Sequence, residues 1–306
     1  MMDRIAIIGA GLMGHGLALV FARGGHDVVI SDAFAEARET VKARVVATLA
    51  GLGQTADCVD RITVAPDLAT AVRDADVVIE AAPEKLALKQ DLFAQLDAAA
   101  RPDAILASNT SVIPIGKIAA RVASRHRIIG THWWNPPYLV PLVEVVQADG
   151  TAPETVARMM ALLTALGKVP VHVRRDVPGF VGNRLQHALW REAIALVEDG
   201  VCDAETVDLV VKNSFGRRLA VLGPLENADL IGTDLTLDIH ANVLAHLNHR
   251  PGPSPYLQGL VDDGRLGFKT GQGFRDWTEA EKAAVRARVT AHLTVLNTVL
   301  DGSGAE

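Results

Sequence analysis

Cysteine is scarce in this sequence, which has only Cys58 and Cys202 among 306 residues. The two lie far apart, and neither has a second cysteine or a histidine at the spacing of a metal site. This excludes a disulfide framework and a zinc site. Because thiols are usually reduced in the cytoplasm, we expect a cytoplasmic protein that holds no metal.

Long hydrophobic runs and an excess of positive charge are also missing. No stretch of about 18 apolar residues occurs, and the N-terminus lacks the hydrophobic segment and cleavage site of a signal peptide. We therefore expect a protein that neither spans a membrane nor is exported. With 30 lysines and arginines against 36 acidic residues, a formal charge of −6, a nucleic-acid partner is not expected.

A glycine-rich turn follows the first apolar run of the chain. Residues 5–8 read as a buried parallel strand, the next six residues fit the pattern Gly-x-Gly-x-x-Gly, and a helix and a second strand ending at Asp32 follow. Glycines there let backbone amides approach a pyrophosphate, while an acid binds the adenosine ribose and repels a 2′-phosphate. The sequence therefore predicts an NAD site, formed by Gly9, Gly11, Leu12, Met13, Gly14 and Asp32.

Strands and helices alternate from residue 5 to residue 173, which is typical of a doubly wound α/β domain of the Rossmann type. The segment Asp176-Val177-Pro178-Gly179-Phe180 marks its end, and we place the domains at residues 1–178 and 179–306. Beyond this boundary the periodicity predicts only helices, over 180–199, 204–211, 230–248 and 279–300. An all-α second domain with several apolar stripes favours a homodimer.

Polar residues stand where the predicted strand near residue 105 ends. Ser108-Asn109-Thr110-Ser111 follows the strand near residue 105, and the carboxyl ends of such strands are where doubly wound sheets bind ligands. A ligand role for Asn109 or Ser111 is one interpretation, and capping of the next helix is the other.

A histidine and a glutamate lie in two apolar runs on either side of a proline-rich loop. His132 ends the first run and Glu144 lies in the second, so a return of the chain would set the carboxylate beside the imidazole. Such a pair makes a general base. The alternative is a half-buried histidine and a glutamate that never meet.

Three more histidines, at 240, 246 and 249, fall on one predicted helix, and we assign them no metal.

Taken with the motif Asp176 to Arg184 and with residues 267–274, these features resemble the L-3-hydroxyacyl-CoA dehydrogenase family over nearly the whole chain. The resemblance implies that His132 is the catalytic base, that Glu144 orients it, and that Ser111 and Asn183 contact the reacting oxygens of a small-molecule substrate. It also implies cofactor-side roles for Glu84, Lys89, Asn109 and Asn135.

Departures from the family pattern concern the substrate. Acyl-CoA members carry a longer, lysine-rich segment where residues 33–62 hold only Arg38, Lys42, Arg44 and Arg61, and the usual pair of phenylalanines is Trp133-Trp134. The chain is more similar to the branch that contains λ-crystallin/L-gulonate 3-dehydrogenase, whose substrates are free carboxylic acids, in residues 134–137, 141–144 and 217–224. Trp133 and Trp134 either line a pocket or simply pack, and Arg217 or Arg218 would bind the substrate carboxylate unless they are only surface charges.

Three functions follow from these observations. The first is an NAD-dependent dehydrogenase of a small free 3-hydroxy acid or a similar carboxylate-bearing alcohol. The second is a short-chain 3-hydroxyacyl-CoA dehydrogenase. The third is an NAD-binding structural protein like the lens crystallin, which the intact set of predicted catalytic residues argues against.

Overall fold

Eight short strands form one sheet in the computed structural model, which describes residues 2–302. Neighbouring strands are parallel except for the sixth and seventh, and the spatial order is β3-β2-β1-β4-β5-β6-β7-β8. The central strands are buried along most of their length because apolar residues fill both faces. The strands are β1 (Arg4–Ile8), β2 (Asp27–Ser31), β3 (Ile62–Val64), β4 (Val77–Glu80), β5 (Ile105–Ser108), β6 (Ile128–Trp133), β7 (Leu142–Val146) and β8 (Val169–Val173).

Six helices cover the sheet, and the buried apolar side chains form two clusters. Helices α1, α2 and α6 contribute to one cluster of buried side chains, and α3, α4 and α5 contribute to the other. The predicted doubly wound, Rossmann-type fold is therefore confirmed. The six helices are α1 (Leu12–Arg23), α2 (Ala35–Gly51), α3 (Leu68–Val72), α4 (Leu86–Ala99), α5 (Ile115–Ile118) and α6 (Pro153–Ala165).

The order of the strands reverses at β1, which pairs with both β2 and β4. Ligands bind doubly wound sheets outside the carboxyl ends of the strands at such a reversal. The chain leaves β1 through Gly9 with φ of +110°, and a Cβ there would lie 2.6 Å from the carbonyl oxygen of Ala81, just after β4. Glycine is therefore needed where the exits of these two strands converge.

No strand follows β8 among the described residues, which confirms the prediction of a helical second part. By its internal packing the chain forms two units, one holding the described residues up to Arg184 and again from Leu293, the other running Leu185–His292. The predicted domain boundary after residue 178 stays a prediction. The later helices are α7 (Gly182–Glu198), α8 (Ala204–Asn213), α9 (Pro224–Ile231), α10 (Thr233–Val243), α11 (Pro255–Asp262) and α12 (Glu279–Gly302).

The helix predicted over 230–248 is wrong as a single element. Gly232, with φ of +101°, separates α9 from α10, and α10 ends at Val243. The chain continues as a short 3-10 turn, Leu244–His246, and then an irregular segment, so His240, His246 and His249 do not lie on one helix as predicted. Within residues 2–302, no helix combines the length and the apolar character needed to cross a membrane.

A buried ion pair joins β4 to α4. The Lys89 ammonium lies 2.7 Å from a carboxylate oxygen of Glu80, and both side chains are almost fully buried. Glu80 also accepts hydrogen bonds from the backbone N–H of Ala82 and from the Ser108 hydroxyl. Buried charges are tolerated only when each is paired and hydrogen-bonded, as here, so the pair is sensitive to the loss of either partner.

Replacement of Lys89 by methionine should destabilise the protein by about 3–5 kcal/mol, because the Glu80 carboxylate would then be buried without its counter-charge. Urea unfolding would measure the change in free energy. The matched control is Arg121→Met, which removes the surface partner of Asp91 on the same helix and should cost about 1 kcal/mol or less. Equal losses in the two variants would contradict the account.

Candidate active site

The antiparallel pairing of β6 and β7 places His132 directly opposite Glu144. Their side chains meet, with 2.7 Å between Nδ1 of the imidazole and Oε2 of the carboxylate, and both are buried. Of the two interpretations of this segment, the structure therefore shows the one in which the residues meet. Because Nδ1 is bound to the carboxylate, Nε2 is the nitrogen that remains to exchange a proton with a substrate.

The second oxygen of Glu144 is held by the start of α7. Oε1 accepts backbone hydrogen bonds from Val181 at 2.8 Å and Gly182 at 3.0 Å. Burial acts to raise the pKa of Glu144, but the hydrogen bonds from His132, Gly182 and Val181 outweigh it and hold the pKa below its usual value. Glu144 is therefore ionised at neutral pH and fixes the orientation of the imidazole.

Two aromatic rings enclose the imidazole. The centroids of Trp134 and Phe180 lie 5.2 Å and 5.7 Å from that of His132. Trp134 packs closely on Gly182, where a Cβ would lie 2.4 Å from the indole ring. Phe180 adopts φ of +51°, the one positive φ of a non-glycine residue in the described chain. Backbone strain of this kind is often found at functional sites.

Ser111 and Asn183, the two predicted substrate-binding residues, are in direct contact. The Asn183 side-chain amide donates a hydrogen bond of 2.8 Å to the backbone carbonyl of Ser111. Asn183 follows Gly182, whose N–H binds Glu144. A continuous series of contacts thus connects the loop after β5, the start of α7 and the His132–Glu144 pair. The structure brings all four predicted catalytic residues into one network.

Glu84 orders the loop after β5. One of its oxygens accepts hydrogen bonds from the Thr110 hydroxyl and from the backbone N–H groups of Ser111 and Val112. Although burial acts to raise the pKa of Glu84, Thr110, the Lys89 charge and these amides lower it overall. Lys89 itself has a side chain that is 1% exposed, so we expect it to act on the cofactor through Glu84 rather than by contact.

The two predicted cofactor-side asparagines differ in their surroundings. Asn109 uses its side-chain oxygen to accept the backbone N–H of Trp133 at 3.0 Å, which ties the end of β5 to the end of β6. Asn135 is exposed. The alternative of helix capping is not realised, because α5 begins after Pro114 without a side-chain cap; the Thr110 hydroxyl accepts the N–H of Ile113 within the loop instead. Asn109 therefore keeps its amide N–H groups and one lone pair of its side-chain oxygen for a ligand.

The glycine-rich turn fits a dinucleotide. A Cβ on Gly14 would lie 1.8 Å from the carbonyl oxygen of Gly9, so only glycine allows the turn and α1 to pack. A Cβ on Gly11 would meet nothing within 4 Å, which leaves its backbone open to a ligand. Helix α1 begins after Gly11 without a side-chain cap, so its first N–H groups are available to a pyrophosphate. Leu12, in the first turn, is exposed, and Met13 is half-buried.

Asp32 stands directly after β2, beside this turn. Its carboxylate accepts the backbone N–H of Ala10 at 2.7 Å and that of Phe34 at 2.9 Å. These bonds fix the carboxylate next to the glycine turn and leave lone pairs for ribose hydroxyls. Arg44 of α2 closes the turn from its other side by donating to the carbonyl oxygens of Ala10 and Gly11.

Several residues of the site were not singled out from the sequence. Glu80 is the one that the sequence could have revealed most easily, because an acid inside an apolar strand must be paired when it is buried. Phe180 was within a recognised motif, but its positive φ leaves no trace in the sequence. Arg44 and Thr110 act through contacts with residues more than 20 positions away, and sequence spacing does not reveal these.

The remaining predicted substrate residues are separated by the structure. Trp133 is 3% exposed and belongs to the hydrophobic core, where it packs on Phe21. Of the two tryptophans, Trp134 is therefore the one placed to meet a substrate. Arg217 and Arg218 are exposed residues of the second unit, and their role as carboxylate ligands stays a prediction.

Comparisons with known proteins identify the relatives of this chain. The family model of the 3-hydroxyacyl-CoA dehydrogenase NAD-binding domain matches residues 4–177, and that of the C-terminal domain matches residues 179–277. The 5-formyl-3-hydroxy-2-methylpyridine 4-carboxylate 5-dehydrogenase of Mesorhizobium japonicum is 37% identical over 99% of both chains. A probable 3-hydroxybutyryl-CoA dehydrogenase of Bacillus subtilis is 38% identical over 90% of this chain and 98% of the relative.

A solved structure is also similar to this chain. The crystal structure of a 5-formyl-3-hydroxy-2-methylpyridine 4-carboxylic acid 5-dehydrogenase, described as an NAD⁺-dependent dismutase, superposes with a TM-score of 0.91. It is 36% identical, and the match covers 99% of each chain. The prediction of NAD as cofactor is thereby confirmed.

Replacement of Asp32 by alanine should relax the preference for NAD over NADP by about ten- to a hundredfold, the value of hydrogen bonds to a charged group. The ratio of kcat/KM for the two cofactors measures this. Asp27→Ala, at the other end of β2, serves as the control, because its carboxylate forms a surface pair with Arg61. An unaltered ratio in Asp32→Ala would remove this residue from cofactor selection.

Proposed function

Because the chain belongs to the 3-hydroxyacyl-CoA dehydrogenase family, we propose that it oxidises the secondary alcohol of a small carboxylic acid that is not linked to coenzyme A. It is an NAD-dependent oxidoreductase that acts on a CH–OH group of a small molecule. The proposal concerns which alcohol it takes.

The proposal rests on the observation that most cationic side chains on and after α2 are already bound to other groups of the protein. Arg38 donates to the carbonyl oxygen of Asp32, Arg44 donates to the glycine turn, and Arg61 lies 3.4 Å from the Asp27 carboxylate. Within residues 33–62, all of which are described, this leaves Lys42 as the cation without a hydrogen bond or ion pair. Because its arginines are already bound, this segment has few cations left for the phosphates of coenzyme A, whose binding needs several free cations.

The relatives support the same substrate class. The Mesorhizobium enzyme that matches this chain from end to end is named for a pyridine carboxylate that carries no coenzyme A. A compact acid also suits a site in which Trp134 packs against both His132 and Gly182. The buried indole N–H of Trp134 has no hydrogen-bond partner among the described residues, so a substrate oxygen would satisfy it.

In the oxidative direction, Nε2 of His132 removes the hydroxyl proton while the carbinol hydride leaves. Glu144, ionised and fixed by three hydrogen bonds, stabilises the imidazolium that forms. Ser111 and Asn183, which are bound to each other, hold the alcohol and the neighbouring oxygen of the substrate in line. The glycine turn and Asp32 would hold NAD, which would supply the nicotinamide ring as the acceptor of this hydride. Reduction of a ketone runs the same steps backwards.

A second candidate is a short-chain 3-hydroxyacyl-CoA dehydrogenase that acts on acetoacetyl-CoA and 3-hydroxybutyryl-CoA. The Bacillus relative, named for the second thioester, favours it at an identity similar to that of the first relative. A structural protein that binds NAD without turnover is a third candidate. The ordered His132–Glu144 pair argues against it, because a protein without catalysis has no need of a fixed base.

The second unit supports our proposal of a homodimer. Among its described residues, Ala195 and Leu260 are the only buried apolar side chains, whereas large apolar side chains are exposed on several helices. An apolar surface of this kind is typical of an interface between subunits. The exposed set includes Leu185, Leu189, Trp190, Leu209, Val210, Leu230, Ile231, Leu235, Leu237, Ile239 and Val243.

We also propose a cytoplasmic enzyme that uses neither a membrane nor nucleic acid as a partner. Cys58 and Cys202 are both free thiols, as in proteins of a reducing compartment. The formal charge of −6 opposes binding to a phosphate backbone.

The experiment that tests the function measures NADH oxidation with acetoacetyl-CoA beside NAD reduction with a panel of free acids. The panel contains L-gulonate, 3-hydroxybutyrate, carnitine and the alcohol related to the pyridine carboxylate named above. We expect turnover with a free acid and none with the thioester. Turnover with the thioester alone, with a KM that rises steeply with salt, would establish the acyl-CoA function instead.

A further inference from the structure

A polar cavity of about 520 Å³ lies at the carboxyl ends of α1 and α6, on the first unit. Its lining includes Arg23, Tyr138, Pro141, Lys168 and Asn297. Lys168 stands just before β8, on the turn that follows α6. None of these residues belongs to the catalytic network described above, yet the cavity adjoins the loop between the two catalytic strands.

The Lys168 ammonium binds that loop at two points. Nζ donates hydrogen bonds to the backbone carbonyls of Pro137 at 2.5 Å and Val140 at 3.1 Å. It also lies 5.7 Å from the centre of the Trp133 ring, a cation–π contact. A single side chain thus connects both halves of the turn to the tryptophan next to His132.

The loop held in this way joins β6 to β7 and spans residues 134–141. It carries Trp134, which contacts His132, and Asn135, the predicted cofactor ligand. Asn297 holds a third carbonyl of the loop, that of Leu139, at 2.7 Å. A shift of the loop would displace Trp134 and change the space around the imidazole, and small displacements of this kind cost large factors in rate.

The ammonium has no acid to balance it. Arg23 from α1 and Tyr138 from the loop are the other titratable groups that line the cavity, and no carboxylate is among the described lining residues. Burial, reinforced by the charge of Arg23, lowers the pKa of Lys168 to about 8. Burial also raises the pKa of Tyr138, so this phenol is uncharged in the same range. The loop contact therefore loses its charge just above neutral pH.

We propose that Lys168 is a positioning residue of the dehydrogenase, whose charged ammonium fixes the 134–141 loop in the conformation that the catalytic pair requires. Only the protonated amine combines two strong hydrogen bonds with the contact to Trp133. The enzyme is then fully ordered below pH 8 and less active above it.

The oxidative direction separates this effect from the titration of the base. In this direction the base must be neutral to accept a proton, so a rise in pH cannot slow oxidation through the base. A fall of kcat above about pH 8 must therefore come from another group. We expect this fall in the wild-type enzyme, with whichever alcohol the substrate panel identifies.

Three variants test the assignment. Lys168→Met should lower kcat about ten- to a hundredfold at pH 7, as expected for a misplaced site, and should lose the fall above pH 8. Lys168→Arg, which stays charged, should restore activity and move the fall to higher pH. Lys212→Met, which removes an exposed lysine paired with Asp208, should behave like the wild type. A wild-type profile without the fall, or the same profile in Lys168→Met, would overturn the proposal.

A second measurement needs no substrate. Because the ammonium lies over Trp133, tryptophan fluorescence of the wild-type protein should titrate with a midpoint near pH 8. That transition should be missing in Lys168→Met and kept in Lys212→Met. If Lys168→Met does not fold, the comparison of the wild type with Lys168→Arg tests the proposal, because the transition should move to higher pH in Lys168→Arg. A midpoint unchanged in Lys168→Arg would assign the titration to another group and overturn the proposal.

Discussion

The hydrogen bond between His132 and Glu144 depends on the register of one antiparallel strand pair. In a sheet that is otherwise parallel, β7 returns beside β6 and sets the two residues opposite each other. A slip by one residue would turn Glu144 to the other face of the sheet and leave the imidazole without its carboxylate. The loop of residues 134–141, with its prolines and its contacts to Lys168 and Asn297, determines this register.

Carboxylates organise the rest of the site in a similar way. Glu80, Glu84 and Glu144 each accept backbone or side-chain hydrogen bonds at the carboxyl edge of the sheet, where loops would otherwise be mobile. For the last two, these bonds outweigh burial and lower the pKa. Glu84 and Glu144 therefore stay ionised; Glu84 binds the loop that carries Ser111, and Glu144 binds the start of α7, which carries Asn183. A rigid, preorganised site follows from electrostatics as much as from packing.

Local sequence patterns predict most of the fold, but they do not reveal contacts between residues that are far apart along the chain. Strand and helix alternation and the glycine turn are encoded within about 30 residues, so the α/β fold and the NAD site could be predicted. The helix over 230–248 was wrong because its period continues through Gly232, whose positive φ breaks it. The burial of Lys89 and the role of Lys168 depend on partners that only the folded chain brings close.

We propose that Glu144 makes His132 a base without taking part in cofactor binding. The most direct test compares Glu144→Gln and His132→Ala with the wild-type enzyme, measuring both single-turnover hydride transfer and the affinity for NADH. The account predicts that transfer falls by about a hundred- to ten-thousandfold in both variants, while the affinity for NADH stays unchanged. Wild-type transfer in Glu144→Gln, or a parallel loss of NADH affinity, would contradict it.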